Sequence, residues 1–228
     1  MNMIKVVVVN GSPHIHKGNT GFVLEHFIKG LKDGGASVEI LYPSKLDIKP
    51  CLGNLSCWDE TKGECIIQDD MQTIYPLLKD ADVLIFASPV YVPQPGMMQI
   101  FLNRLCPLFN PVLSFIDGRT RIKYHDDVKI SKILAILTSG WWEIENLSLL
   151  LKIFEEYAAI TKTEFSGAVL RPHAYLLKKD TELNQAILSK LEILGKDFIL
   201  NGSLNQADLQ FISQPLSSEE EYRQNWNH

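Results

Sequence analysis

Three short segments of this 228-residue chain carry the mixture of small, polar and turn-forming residues from which ligand loops are built. Asn10–Gly21 reads NGSPHIHKGNTG, Ser88–Gln94 reads SPVYVPQ and Thr138–Trp142 reads TSGWW. The first holds the clearest chemistry: Ser12 offers a hydroxyl, Gly18 lets backbone come close to a guest, and Asn19 and Thr20 stand at a helix start. A helix start exposes unpaired N–H groups and a partial positive charge, so it can seat a phosphate through backbone rather than side-chain charge. The segment is neither the six-residue dinucleotide fingerprint nor a Gly-Lys-Ser/Thr triphosphate loop, which makes a monophosphate the better guest. Taken alone, the same residues would also serve as a plain strand-to-helix connector.

The elements around these segments decide between the two. IKVVVV (4–9) has β-branched residues on both faces, as a central parallel strand does. Val23, Leu24, Phe27, Ile28 and Leu31 form one helical stripe that Gly34 and Gly35 stop. Strands are expected at 37–42, at DVLIFASPVY, at 132–140 and at 163–170, alternating with helical patterns. Asp69 or Asp70 caps the helix in MQTIYPLLKDA, where Pro76 predicts a kink or a late start. Pro95 opens the next helix, with Met97, Ile100, Phe101 and Leu105 inward. Residues 107–129 are either an insertion or an extended helix tail. Residues 1–200 are expected to form one α/β domain, and 201–228 a polar tail that frays or clasps a neighbour.

Five strands alternating with helices predict a doubly wound parallel sheet of order 2-1-3-4-5, with helices on both faces. Ligands of such sheets sit beyond the carboxyl ends of the strands, at the switch point. The three segments follow strands one, three and four, which are neighbours in that order. Their convergence favours a ligand seat over a connector.

Bulk properties narrow the partners. The hydrophobic share of 46% is ordinary for a globular chain, and the formal charge of −5 is spread without a basic stripe, which argues against nucleic acid. No apolar run is long enough to span a bilayer and no secretory leader pattern opens the sequence, so a cytoplasmic setting is expected. Four cysteines in such a setting read as thiols or ligands rather than structural disulfides.

The string GSPHIHKGNT, then SPVY, then TSG after the fourth strand resembles the flavodoxin-like NADPH-dependent FMN reductases and their iron–sulfur flavoprotein relatives. CIIQDDM (65–71) resembles the stretch before that group's second helix. The likeness covers about residues 4 to 170. It implies a flavodoxin-like fold with one FMN per subunit. Ser12, Gly18, Asn19 and Thr20 would hold the phosphate. His14 stands where relatives often carry arginine, and Lys17 can supply the charge instead. Pro89, Val90 and Tyr91 would line the isoalloxazine edge, and Ser139 and Gly140 would approach from the other side. Tyr91, Trp141 and Trp142 are candidates to border the ring, or else to pack in a core or interface, and of the adjacent tryptophans one is expected to face the flavin.

Iron–sulfur relatives place four cysteines in the loop PCLGNLSCWDETKGEC, which here holds Cys51, Cys57 and Cys65, with Asn54 at the remaining position. Three thiols and no histidine favour a loop without metal that shapes the substrate mouth or a subunit contact. Cys106 is expected to be a buried apolar residue on a helix. His26, His125, His173 and His228 show no ligand spacing, and Asp69–Asp70 reads as a helix cap rather than an acid/base pair.

The resemblance implies an oxidoreductase that passes electrons from NAD(P)H through FMN to a quinone, flavin or other small acceptor, working as a homodimer. FMN carries that chemistry, so no side chain is assigned as a catalytic acid or base. Two alternatives remain: an FMN-bearing electron carrier without nicotinamide turnover, whose partner surfaces would include 117–129 and the cysteine loop, and a flavin-free scaffold of the same fold.

Overall fold

A computed structural model describes residues 3–116 and 118–227; Asp117 and His228, each part of a reading above, lie outside the described residues. The strand pattern folds as its apolar alternation requires. β1 (Lys5–Asn10), β2 (Ser37–Leu41), β3 (Val83–Pro89), β6 (Lys132–Thr138) and β7 (Glu164–Arg171) form a five-stranded parallel sheet of order β2-β1-β3-β6-β7. This is the expected order, with the fourth and fifth strands of the sequence reading appearing as β6 and β7.

Alternation along each strand divides the core in two. Val7, Val9, Leu84 and Phe86 pack with α3 (Met71–Lys79), α4 (Gly96–Asn103) and α5 (Ser148–Thr161). Val6, Val8, Val83 and Ile85 face α1 (Asn19–Asp33) and α6 (Glu182–Asn201) on the other side. Both faces are covered, which is why these strands read as continuous apolar runs. Full burial of a side chain such as Phe27 or Phe154 contributes about 1.5–3 kcal/mol. Pro76 lies inside α3, so that helix does not start late. Of the expected inward residues after Pro95, Phe101 and Leu105 are fully buried and Met97 and Ile100 pack half-buried against the same core, which Met98 joins.

α1 and α6 cross with almost no side chain between them. A Cβ on Gly30 would lie 1.9 Å from the Glu192 carbonyl oxygen, and one on Gly195 would lie 2.3 Å from that of Phe27. Only glycine permits that approach.

Residues 107–129 are an insertion and not a helix tail. β4 (Phe109–Ile116) and β5 (Arg119–Tyr124) pair as an antiparallel hairpin with an irregular register between Asn110 and Ser114. The C-terminal residues expected as a tail contain two helices. α7 (Gln206–Ser213) and α8 (Glu219–Trp226) fold back on the same chain, α7 against β7 and α8 beside the end of β6. No described helix is long and apolar enough to cross a membrane.

Candidate functional site

Parallel strands leave their carboxyl ends at one edge, and the loops leaving β1, β3 and β6 meet there. Ser12, His14, Gly18, Asn19, Thr20, Pro89, Val90, Tyr91, Ser139 and Gly140 line a single crevice, joined by Thr138 and Ala174. Ten of the twelve candidate residues are thereby together. Lys17 and Trp141 are not part of the lining: Lys17 is exposed, and Trp141 is 61% exposed. Trp142 turns away instead, donating its indole N–H to the Ser217 carbonyl at 3.1 Å and stacking on His173.

The anion end is built from backbone. Gly18 precedes α1 with no side-chain cap, which leaves the first-turn amides without an intrahelical or side-chain partner. Ser12 is buried and its hydroxyl oxygen only accepts a long bond, 3.3 Å, from the His14 amide, so its proton is free for a guest. A Cβ on Gly18 would stand 2.9 Å from the Ser12 Oγ and 3.0 Å from the His14 Cβ, filling the cradle.

The loops are fastened to one another. Thr20 and Thr138 share a buried hydroxyl–hydroxyl bond of 2.7 Å, and the Val90 amide donates to the Thr138 carbonyl at 2.8 Å. The Ser139 amide donates to the Arg171 carbonyl, and the Ser139 carbonyl accepts from Ala174. The Trp141 amide donates to the Ser139 hydroxyl, which turns the chain sharply at the rim.

The third loop also has an outer brace that the sequence reading missed. The Tyr222 hydroxyl of α8 donates to the Gly140 carbonyl at 2.8 Å. His173, wholly buried, donates from Nδ1 to the Trp142 carbonyl at 3.3 Å and accepts the Leu216 amide at Nε2, 2.9 Å. Burial, with the Arg171 cation beside it, lowers the His173 pKa to about 4, so this neutral tautomer holds across the physiological range. Arg171 is itself fully buried and pairs with no carboxylate among the described residues. It donates to the carbonyls of Pro172, Ile212 and Gln214, and burial lowers its pKa to about 10. The signal for α8 is present in the sequence: Ser218 and Glu221 form a capping box.

The comparisons with known proteins bear on this crevice. The sequence profile of the NADPH-dependent FMN reductase family matches residues 4–141, more than half of the chain, and includes all three loops up to Trp141. The chain belongs to the NADPH-dependent FMN reductase family. Among curated proteins, an iron-sulfur flavoprotein of Archaeoglobus fulgidus is 35% identical over 105 residues, 46% of each chain. One from Methanocaldococcus jannaschii is 33% identical over 106 residues, 46% of this chain and 53% of the relative. This reductase-family chain thus spans about half the length of the curated relatives it matches. Two solved structures share the fold. The NAD(P)H:quinone oxidoreductase of Methanothermobacter marburgensis superposes with a TM-score of 0.57 at 16% identity, over 86% of this chain and 98% of that one. The FMN-dependent NADH-azoreductase of Bacillus anthracis, in complex with FMN, gives 0.60 at 13% identity, over 86% and 100%.

The residues present fit FMN. The uncapped α1 start and the Ser12 hydroxyl suit a dianionic phosphate, and Gly18 leaves the room a side chain would take. Tyr91, 49% exposed, stands at the mouth.

Proposed function

We propose that this chain is an FMN-dependent oxidoreductase that takes electrons from NADH or NADPH and passes them to a quinone, a free flavin or another small acceptor. The observation that carries the reading is the convergence of an uncapped helix start, a buried serine hydroxyl and two further strand-end loops on one crevice. The bound flavin supplies the two-electron chemistry, accepting hydride from a nicotinamide and delivering electrons onward. The chain's own residues position it. Ser12 and the amides of Asn19 and Thr20 hold the phosphate, with His14 at the rim. Pro89, Val90 and Tyr91 border the ring on one side, and Ser139 and Gly140 border it on the other. Trp141, outside the crevice, is available to a nicotinamide or acceptor approaching from solvent.

Working as a homodimer suits the exposed apolar residues Val112, Leu113 and Phe115 of the hairpin, and four free thiols suit the cytoplasm. The second reading, an electron carrier without nicotinamide turnover, draws on the iron-sulfur flavoprotein names of the curated relatives. Steady-state oxidation of NADPH and NADH by FMN-loaded protein, with a soluble quinone as acceptor, separates the two. The oxidoreductase reading predicts multiple turnovers that depend on acceptor. Flavin that stays oxidised in the presence of both nicotinamides would contradict it.

A further inference from the structure

Two arginine side chains are wholly buried among the described residues, and they differ in their counter-ions. Arg104, just after α4, donates to both carboxylate oxygens of Asp69. Arg171, the last residue of β7, has no carboxylate partner among the described residues. An unpaired cation is costly to bury, and here carbonyls alone offset it. The guanidinium donates from Nε to Pro172 at 2.9 Å, from Nη2 to Gln214 at 2.7 Å and from Nη1 to Ile212. Ile212 lies in the last turn of α7 and Gln214 follows its end, so the partial negative charge of that terminus faces the cation. A partial charge offsets only part of a full one. Burial lowers the guanidinium to about 10, which leaves it protonated at neutral pH.

The cation stands behind the third loop of the crevice. The Arg171 carbonyl accepts the Ser139 amide at 3.0 Å, and the guanidinium Nη2 lies 3.2 Å from Nε2 of His173. The other ring nitrogen of His173 holds the Trp142 carbonyl, and the His173 amide donates to the Trp141 carbonyl at 2.8 Å. One imidazole ring therefore separates the charge from the chain that leaves Gly140. His173 adopts a left-handed backbone, φ 35°, a strained conformation for a residue with a side chain, which persists where the surroundings over-determine it. No carboxylate lines the crevice, so no side chain of the lining cancels the field of Arg171.

We propose that Arg171 is a positioning residue whose uncompensated charge, set behind the Ser139–Trp142 loop, favours the anionic reduced form of the flavin bound in the crevice. The inference rests on the FMN reading given above. Hydride transfer from a nicotinamide delivers two electrons and one proton, so NAD(P)H becomes NAD(P)+ and oxidised FMN its reduced anion, with no second proton taken up. That step adds one negative charge to the crevice. A fixed cation in a dry place stabilises that charge without reorganising. The reduction potential of bound FMN is thereby raised, and the N1 proton of the reduced ring is lost more readily than from free reduced FMN.

The test is the two-electron potential of FMN bound to the full chain, read against reference dyes during anaerobic reduction, together with the melting temperature. Arg171→Met removes both the charge and the hydrogen bonds, whereas Arg171→Lys keeps the charge and loses the planar fork. A knot with only a structural role would loosen in both variants alike and leave their potentials together. Both variants should melt lower than wild type. Arg171→Met should lose about tenfold of the preference for reduced over oxidised FMN, a fall of ~30 mV, while Arg171→Lys stays within about twofold of wild type.

Wild type alone gives a second reading that does not depend on the variants folding. Its potential should fall by about 30 mV per pH unit, the slope of one proton per two electrons, at pH values where free FMN measured alongside falls by about 60 mV. A two-proton slope matching free FMN, an Arg171→Met preference equal to wild type, or Arg171→Lys and Arg171→Met shifted together would each overturn the proposal. A chain that binds no FMN would contradict the function proposed above and this inference with it. Bound FMN with unshifted potentials would contradict this inference alone.

Discussion

The hydroxyls of Thr20 and Thr138 meet at 2.7 Å beneath the crevice, although 118 residues separate them in the chain. The bond joins the first turn of α1 to the end of β6. It therefore fixes the spacing between the seat for a phosphate and the loop that would flank the ring. Thr138→Val keeps the shape and leaves Thr20 without its partner. A lost buried hydrogen bond costs about 1 kcal/mol. We expect a loss of stability of that size in urea unfolding and an FMN affinity weakened roughly fivefold. Unchanged affinity would show that the spacing does not matter to the ligand.

Tyr222 makes a separate prediction, because it touches the crevice loop only from outside. Tyr222→Phe removes the donor to the Gly140 carbonyl and leaves the aromatic contacts with Tyr175 and Trp226 in place. Amide exchange at 139–142 should accelerate and FMN dissociate faster, with the melting temperature lowered by only a few degrees. Hydrogen-exchange mass spectrometry with stopped-flow fluorescence checks both. Exchange confined to α8 would leave the brace without a role in the site.

Asp69 and Arg104 predict a pH dependence. Burial alone would raise the Asp69 carboxyl, but hydrogen bonds from Arg104 and from the Lys49 and Met71 amides outweigh it and hold the pKa below the ordinary value. A carboxyl lowered in the folded state adds stability that is full above its unfolded pKa and is lost as pH falls through the folded one. Wild-type stability should therefore decline as acid passes below the usual carboxylate range. Asp69→Asn should flatten that slope and cost about 3–5 kcal/mol at neutral pH, because Arg104 remains buried and uncompensated. Chemical denaturation across pH measures both.

The α1–α6 crossing yields a prediction about fold rather than site. Gly30→Ala places a methyl group 1.9 Å from the Glu192 carbonyl oxygen, so the helices must separate. Overpacking of this kind costs about 1–3 kcal/mol, or roughly 2–12 °C in a chain of this size. Calorimetry should show the drop, with FMN affinity preserved below the transition.

What the residues made legible follows a physical division. The parallel strands and their order could be read because each is buried on both faces and bounded by turn residues. The three loops could be read because strand ends in such a sheet share an edge. The hairpin at 109–124 escaped because its register is irregular and Val112, Leu113 and Phe115 are exposed, so no clean alternation marks it. α8 was hidden by polar composition, although its Ser218–Glu221 capping box is a local signal. The Arg104–Asp69 pair depends on tertiary proximity alone, which no local pattern carries. Trp141 and Lys17 sit in the expected segments but are solvent-exposed and do not line the crevice.

The central claim is that amides at the start of α1, with Ser12, grip the phosphate of a flavin mononucleotide. The most direct test is a fluorescence titration of apoprotein with FMN and with riboflavin, which differ only by that phosphate. The account predicts one FMN per chain and riboflavin binding weaker by at least about tenfold, or ~1.4 kcal/mol. Equal affinity for the two flavins, or binding of neither, would contradict it.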